Sequence, residues 1–174
     1  MTATHSIEDR LRAVEDKLEI LNLIASHPPA ADTGADYYTK WSFTEDGVID
    51  LGGGKGATGN EKIAAGQQSP GHIAAIAGGL AHFAGLPRIE LNGDEAVATS
   101  YLQILTPHPT AEPHEVPNHG VSKGFRIHRV GVNRWELVRT RDGWKIKKRS
   151  MRSLDGTEPA REILRSALKA FAPR

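Results

Sequence analysis

The stretch RIELNGDEAVATSYLQILT, residues 88–106, carries the clearest strand signal in the chain. Asn92-Gly93-Asp94 reads as a turn, Asn-Gly being a strong hairpin signal, and it separates two apolar-rich runs, 88–91 and 96–106, into a hairpin. Toward the C-terminus, residues 107–118 contain Pro107, Pro109, Pro113 and Pro117 and read as a long loop. Residues 121–140 read as one long strand or two, Arg141-Asp142-Gly143 as a turn, and 144–152 as the last strand. Toward the N-terminus the period changes. Ile7, Leu11, Val14, Leu18, Leu21 and Ile24 recur at intervals of three and four, the pattern of an amphipathic helix. Ser6 and Asp9 form a capping box at its start. His27-Pro28-Pro29 ends or kinks it, because proline disfavours helix at the residue before it. Asp32-Thr33-Gly34 reads as a turn and 36–43 as a short helix. Residues 47–51 read as a strand closed by Gly52-Gly53-Gly54, and 60–68 and 70–79 as helices. Thr157 and Pro159 open a last helix over about 158–171, with Ile163, Leu164, Leu168 and Phe171 on its apolar face. Helices first, then antiparallel strands, then a helix is an α+β order. The expected architecture is a cone-shaped α+β barrel, a curved antiparallel sheet wrapped around the N-terminal helices. Such a cone encloses a small-molecule pocket. With no repeat and no linker, residues 1–174 are expected to form one domain with its core in about 7–152.

Composition narrows the function. The 174 residues are 39% hydrophobic, enough for one ordinary core. Lys and Arg total 22 against 21 Asp and Glu, so the formal net charge is +1 and no basic excess points to nucleic acid. There is no cysteine, which excludes disulfides, cysteine-ligated zinc and thiol nucleophiles. No apolar run approaches the roughly 20 residues of a membrane helix. The first 25 residues, rich in Glu, Asp and Arg, do not read as a signal peptide, so a cytoplasmic protein is expected. Gly52-Gly53-Gly54-Lys55-Gly56 lacks the spacing of a phosphate-binding loop. His108, His114 and His119 share a proline-rich segment without preorganising spacing, so no metal is expected there, and no cofactor motif appears elsewhere.

Four segments carry a family resemblance. They are Ile20 through Asp32 with Thr33-Gly34, Phe43-Thr44-Glu45-Asp46-Gly47-Val48-Ile49-Asp50, His82-Phe83-Ala84-Gly85, and Leu137-Val138-Arg139-Thr140-Arg141-Asp142-Gly143-Trp144. In this order and spacing the chain resembles the SnoaL-like branch of the nuclear-transport-factor-2-like superfamily, which includes scytalone dehydratase, bile-acid 7α-dehydratase and hexachlorocyclohexane dehydrochlorinase. The resemblance implies that Asp32 and His82 form a dyad inside the cone, with the imidazole as general base and the carboxylate holding it. That pairing suits proton abstraction near neutral pH. On the residues alone, Asp32 instead caps a turn and His82 is a core histidine. The resemblance places His108, in its Pro107-His108 context, where it positions substrate or donates a proton. It places Arg149 where a guanidinium assists a departing anion. His27 and Asn133 fall at substrate-contacting places. Tyr37, Phe83 and Trp135, like Tyr38, Trp41 and Tyr101, read as core or pocket wall, and the first three are taken as substrate contacts. Where scytalone dehydratase uses two tyrosines, this chain has Ala31 and Leu51, so that particular dehydration is not implied. The expected activity is that of a cofactor-independent lyase or isomerase acting on a hydrophobic, cyclic small molecule. The alternative is a non-catalytic binding protein that uses the same pocket. The resemblance also implies a homo-oligomer, a trimer or dimer.

Overall fold

The N-terminal periodicity becomes helix α1, Ile7–Ala25. The Ser6 hydroxyl accepts the Asp9 N–H at 3.0 Å and the Asp9 carboxylate accepts the Ser6 N–H at 3.1 Å, which closes the capping box. The apolar positions divide in two. Ile20, Leu23 and Ile24 are buried, whereas Ile7, Leu11, Val14 and Leu18 remain exposed along the opposite stripe. The computed structural model describes residues 6–171.

Helix α2 (His27–Thr33) follows at a kink, with prolines in its first turn where no N–H is needed. The expected turn at 32–34 is the C-terminal turn of this helix, and Gly34 ends it in the left-handed region at φ 65°. A Cβ there would be strained by φ and would lie 3.1 Å from Ile73 Cδ1. Helix α3 (Asp36–Ser42) leads into β1 (Phe43–Gly52) and β2 (Lys55–Thr58). Gly56 lets this ribbon close, since a Cβ would sit 2.1 Å from the Ile49 carbonyl oxygen. Helices α4 (Asn60–Gln67) and α5 (Pro70–Ala77) precede β3 (Ala81–Ala84), β4 (Arg88–Asn92) and β5 (Glu95–Pro107). The proline-rich segment is not all loop, because β6 (His114–Val116) and β7 (Gly120–Ser122) form a hairpin within it. Strands β8 (Phe125–Thr140) and β9 (Gly143–Ser153) and helix α6 (Glu158–Ala167) complete the chain, with a 3-10 turn at Lys169–Phe171.

Seven strands make one curved, unclosed sheet in the order β2-β1-β9-β8-β5-β3, with β4 also paired to β5. The sheet is not antiparallel throughout, since β1 runs parallel to β9. About half of the chain, residues 53–142, lies between these two strands, so no hairpin dictates their sense. Register shifts in the β1–β9, β8–β9 and β5–β8 pairings bend the strands and curve the sheet. The inner face carries Trp135, Leu137, Trp144 and Ile146 against Ile20, Leu23 and Ile24 of α1. Each such side chain contributes roughly 1.5–3 kcal/mol by leaving water. Helix α6 covers the outer face through Ala160 and Ala167. Leu168 and Phe171, expected on its buried face, are exposed. No described helix is long and apolar enough to cross a membrane.

Candidate functional site

The kink after α1 turns α2 so that its last turn, carrying Asp32, meets the short strand β3. Two side chains from the α4–α5 region brace that turn. His72 Nε2 lies 2.7 Å from the Ala31 carbonyl oxygen, and the Gln68 amide donates to the Gly34 carbonyl. Both add a side-chain donor to carbonyls at the helix end, where Ala31 O otherwise accepts a long bond from the Gly34 N–H and Gly34 O accepts the Asp36 N–H. His82, on β3 opposite Ile104 of β5, then comes onto Asp32. The Asp32 carboxylate accepts the His82 backbone N–H at 2.9 Å and approaches the ring Nδ1 at 2.6 Å. A carboxylate only accepts, so the proton of the neutral ring sits on Nδ1 and Nε2 carries the free lone pair. The His82 side chain is 13% exposed. Burial lowers its pKa below the ordinary 6.5, outweighing the opposing pull of Asp32.

Five further side chains lie behind this pair. Arg149 on β9 is 5% exposed and lies over the Trp135 ring, 4.9 Å from its centroid. Its Nε donates to Asn133 Oδ1 at 3.0 Å. Trp135 Nε1 donates to the Ser100 hydroxyl at 3.1 Å. His27, at the start of α2, meets the same indole edge-on at 5.3 Å. Burial, joined by the charges of Arg149, His82 and His72, pushes His27 well below the ordinary imidazole range. His27 also lines a cavity of about 280 Å³ walled by Phe43, Ile49, Leu51, Ala57 and Ile63. Thr39 and Gln67 line it too, and their Oγ1 and Oε1 atoms are buried without a hydrogen-bond partner. A larger cavity of about 590 Å³ lies between α6 and the outer face of the sheet. Of its charged lining, Arg134 pairs with Glu136, and Glu90 pairs with Arg88 outside the cavity.

Asp32, His82, His27, Arg149, Asn133 and Trp135 therefore converge on the inner face. Three other sequence candidates do not. His108 sits in the loop after β5, where its Nδ1 accepts the Ala111 N–H at 3.1 Å. Tyr37 is 76% exposed on α3. Phe83 is 66% exposed because β3 alternates faces and His82 takes the inner one. His72 was not among the sequence candidates, although its ring centroid lies 6.4 Å from that of His82. Its signal was present, since His72 is the one polar side chain of α5. Among the described residues no cluster of His, Cys, Asp or Glu is arranged to hold a metal ion.

Residues 12–150 match the family model of the SnoaL-like domain. An NTF2-like protein with a cystatin-like fold from Novosphingobium aromaticivorans is 33% identical, over 93% of this chain and 99% of that one, with a TM-score of 0.79. A protein from the same organism described as a candidate scytalone dehydratase is 18% identical, covers 83% of each chain and superimposes with a TM-score of 0.56. The ActVI-ORFA structure from Streptomyces coelicolor is 19% identical over 80% of this chain and 97% of that one, at a TM-score of 0.61. The last two likenesses are of fold alone. No curated protein matches the chain.

Proposed function

The chain belongs to the SnoaL-like family, and we propose that it is a lyase or isomerase that abstracts a proton from a hydrophobic, cyclic small molecule. The observation that carries this reading is the half-buried Asp32–His82 hydrogen bond, which leaves the His82 Nε2 lone pair free. His82 Nε2 takes a proton from a carbon next to an activating group. The C–H electron pair then forms a double bond as the leaving group departs, or migrates and is reprotonated one position along. The imidazolium so formed is stabilised by Asp32 and returns its proton to the leaving group or to the product carbon. Arg149, in a dry setting, supports negative charge that develops on the substrate. Every group in this sequence of steps is a side chain of the chain itself. The apolar wall of the cavity beside His27, formed by Phe43, Ile49, Leu51, Ala57 and Ile63, supports the choice of a hydrophobic ring as substrate.

The test is solvent exchange. The protein is incubated in heavy water with a panel of cyclic ketones and hydroxy-ketones, and deuterium uptake is followed by mass spectrometry. The reading expects uptake that is lost in His82→Ala. Ligand binding without exchange across the panel would favour the competing reading, a pocket that holds its ligand unchanged. A homo-oligomer is part of the same proposal. The exposed stripe of Ile7, Leu11, Val14 and Leu18 supports it, and light scattering at a monomer mass would contradict it.

A further inference from the structure

Arg149 is a buried cation without a counter-ion. It is 5% exposed, and among the described residues its one hydrogen bond runs from Nε to Asn133 Oδ1. Among the described residues no acidic side chain forms an ion pair with it, and the charge that bears on it, Arg129, is of like sign. Burial pulls its pKa down to about 10, which leaves the guanidinium charged at neutral pH. Asn133 is 1% exposed, and among the described residues its Nδ2 has no hydrogen-bond partner. The unfilled capacity here is therefore all of one kind. The remaining guanidinium N–H groups and the Asn133 amide donate, and no acceptor faces them. Water can satisfy donors but cannot neutralise a charge. A buried charge held without compensation is costly enough that proteins nearly always pair it.

We propose that Arg149 and Asn133 bind an anionic group that the substrate already carries, a carboxylate. The planar guanidinium fork matches two carboxylate oxygens, and Trp135 beneath it fixes its plane. The inference rests on the reading that the adjoining cavity receives the substrate. Ile49, the strand neighbour of Arg149, lines that cavity, as does His27. The volume of about 280 Å³ accepts a single substituted ring, since a dry cavity of roughly 150 Å³ holds benzene. The ligand class is thus a one-ring carboxylic acid. This goes beyond support for charge that develops during reaction, because it assigns a permanent charge to the free ligand.

The test compares benzoate with its neutral isostere benzamide by titration calorimetry at low ionic strength. Benzoate is expected to bind at least tenfold more tightly, and Arg149→Met should erase the difference. Asn133→Asp supplies an internal carboxylate to Arg149. It should erase the benzoate preference while raising the melting temperature, and it serves if Arg149→Met does not fold. His82→Ala should leave the preference intact, so this proposal and the proton-abstraction reading fail separately. Equal binding of the two probes to the native protein, or a preference that survives either site substitution, overturns it.

Discussion

Asp32 and His82 lie 50 residues apart in the chain, yet the carboxylate sits 2.6 Å from the ring Nδ1 and also accepts the backbone N–H of the same histidine. One side chain thus fixes both the position of β3 and the tautomer of its histidine. Asn at position 32 has one acceptor where the site needs two, so it must oppose a donor to the ring or to the backbone. Asp32→Asn is expected to lower turnover by about 10²–10⁴. It should also cost about 1–3 kcal/mol of stability, because bonds to a charged group are lost. Rates on any substrate found by solvent exchange, together with urea melts, check both figures.

His27 gives stability a pH dependence of known sign. Its folded-state pKa lies well below the unfolded value near 6.5, so between the two the unfolded chain binds the extra proton. Stability therefore holds above pH 6.5 and falls as pH drops below it. The slope is about 1.4 kcal/mol per pH unit for one such group. His82, also lowered, adds to the same window. His27→Phe keeps a ring against Trp135 and should remove one proton's share of the slope. Urea unfolding between pH 5 and 8 measures it, and an unchanged slope would contradict the assignment.

His72 is expected to act through the Asp32 turn. His72→Ala removes the shorter of the two hydrogen bonds to the Ala31 carbonyl and should cost about 1 kcal/mol. It should also lower kcat more than it raises KM, since the base is misplaced while the apolar cavity remains. His72→Gln keeps a donor of similar reach and should restore most of the rate. A loss of stability with kcat unchanged would leave His72 a packing residue only.

On the far side of the core, Asp16 holds α1 to the sheet. Its carboxylate accepts from Arg139 Nη2 at 2.5 Å and from Trp144 Nε1 at 3.1 Å. The Arg139 bond holds the Asp16 carboxyl below the usual carboxylate range, so this contribution is present above pH 4 and is lost as pH falls through the folded value. Asp16→Ala is expected to cost about 2–3 kcal/mol, because it orphans two donors. Ligand binding should be unaffected. Thermal melts alongside benzoate titration distinguish the two effects.

What the sequence made legible follows from how local each signal is. The capping box, the three-and-four spacing and the Asn92-Gly93 turn act over a few residues, and α1, β4 and β5 form where they indicate. The pairing of Asp32 with His82 was readable by resemblance, since each stands in a motif. Strand β3 was not read, because four residues after a glycine pair carry too little pattern. The solvent-facing side of Phe83 depended on that strand's phase, and Tyr37 on the packing of a seven-residue helix. His108 was given by resemblance, but β5 ends at Pro107 and leaves it in the loop, bonded to Ala111. The isolation of Arg149 from any carboxylate is a fact of three dimensions. Its sequence neighbours, Lys147, Lys148 and Arg152, suggest a solvated basic strand.

The central claim is that His82 waits as a neutral base with its proton on Nδ1. Long-range ¹H–¹⁵N correlation of the histidine rings reads this directly and needs no substrate. At pH 7 the account predicts a protonated Nδ1 and an unprotonated Nε2 for His82, titrating below pH 6.5, with the Nδ1–H tautomer weakened in Asp32→Asn. An Nε2–H tautomer at pH 7, or a fully protonated ring, would contradict it.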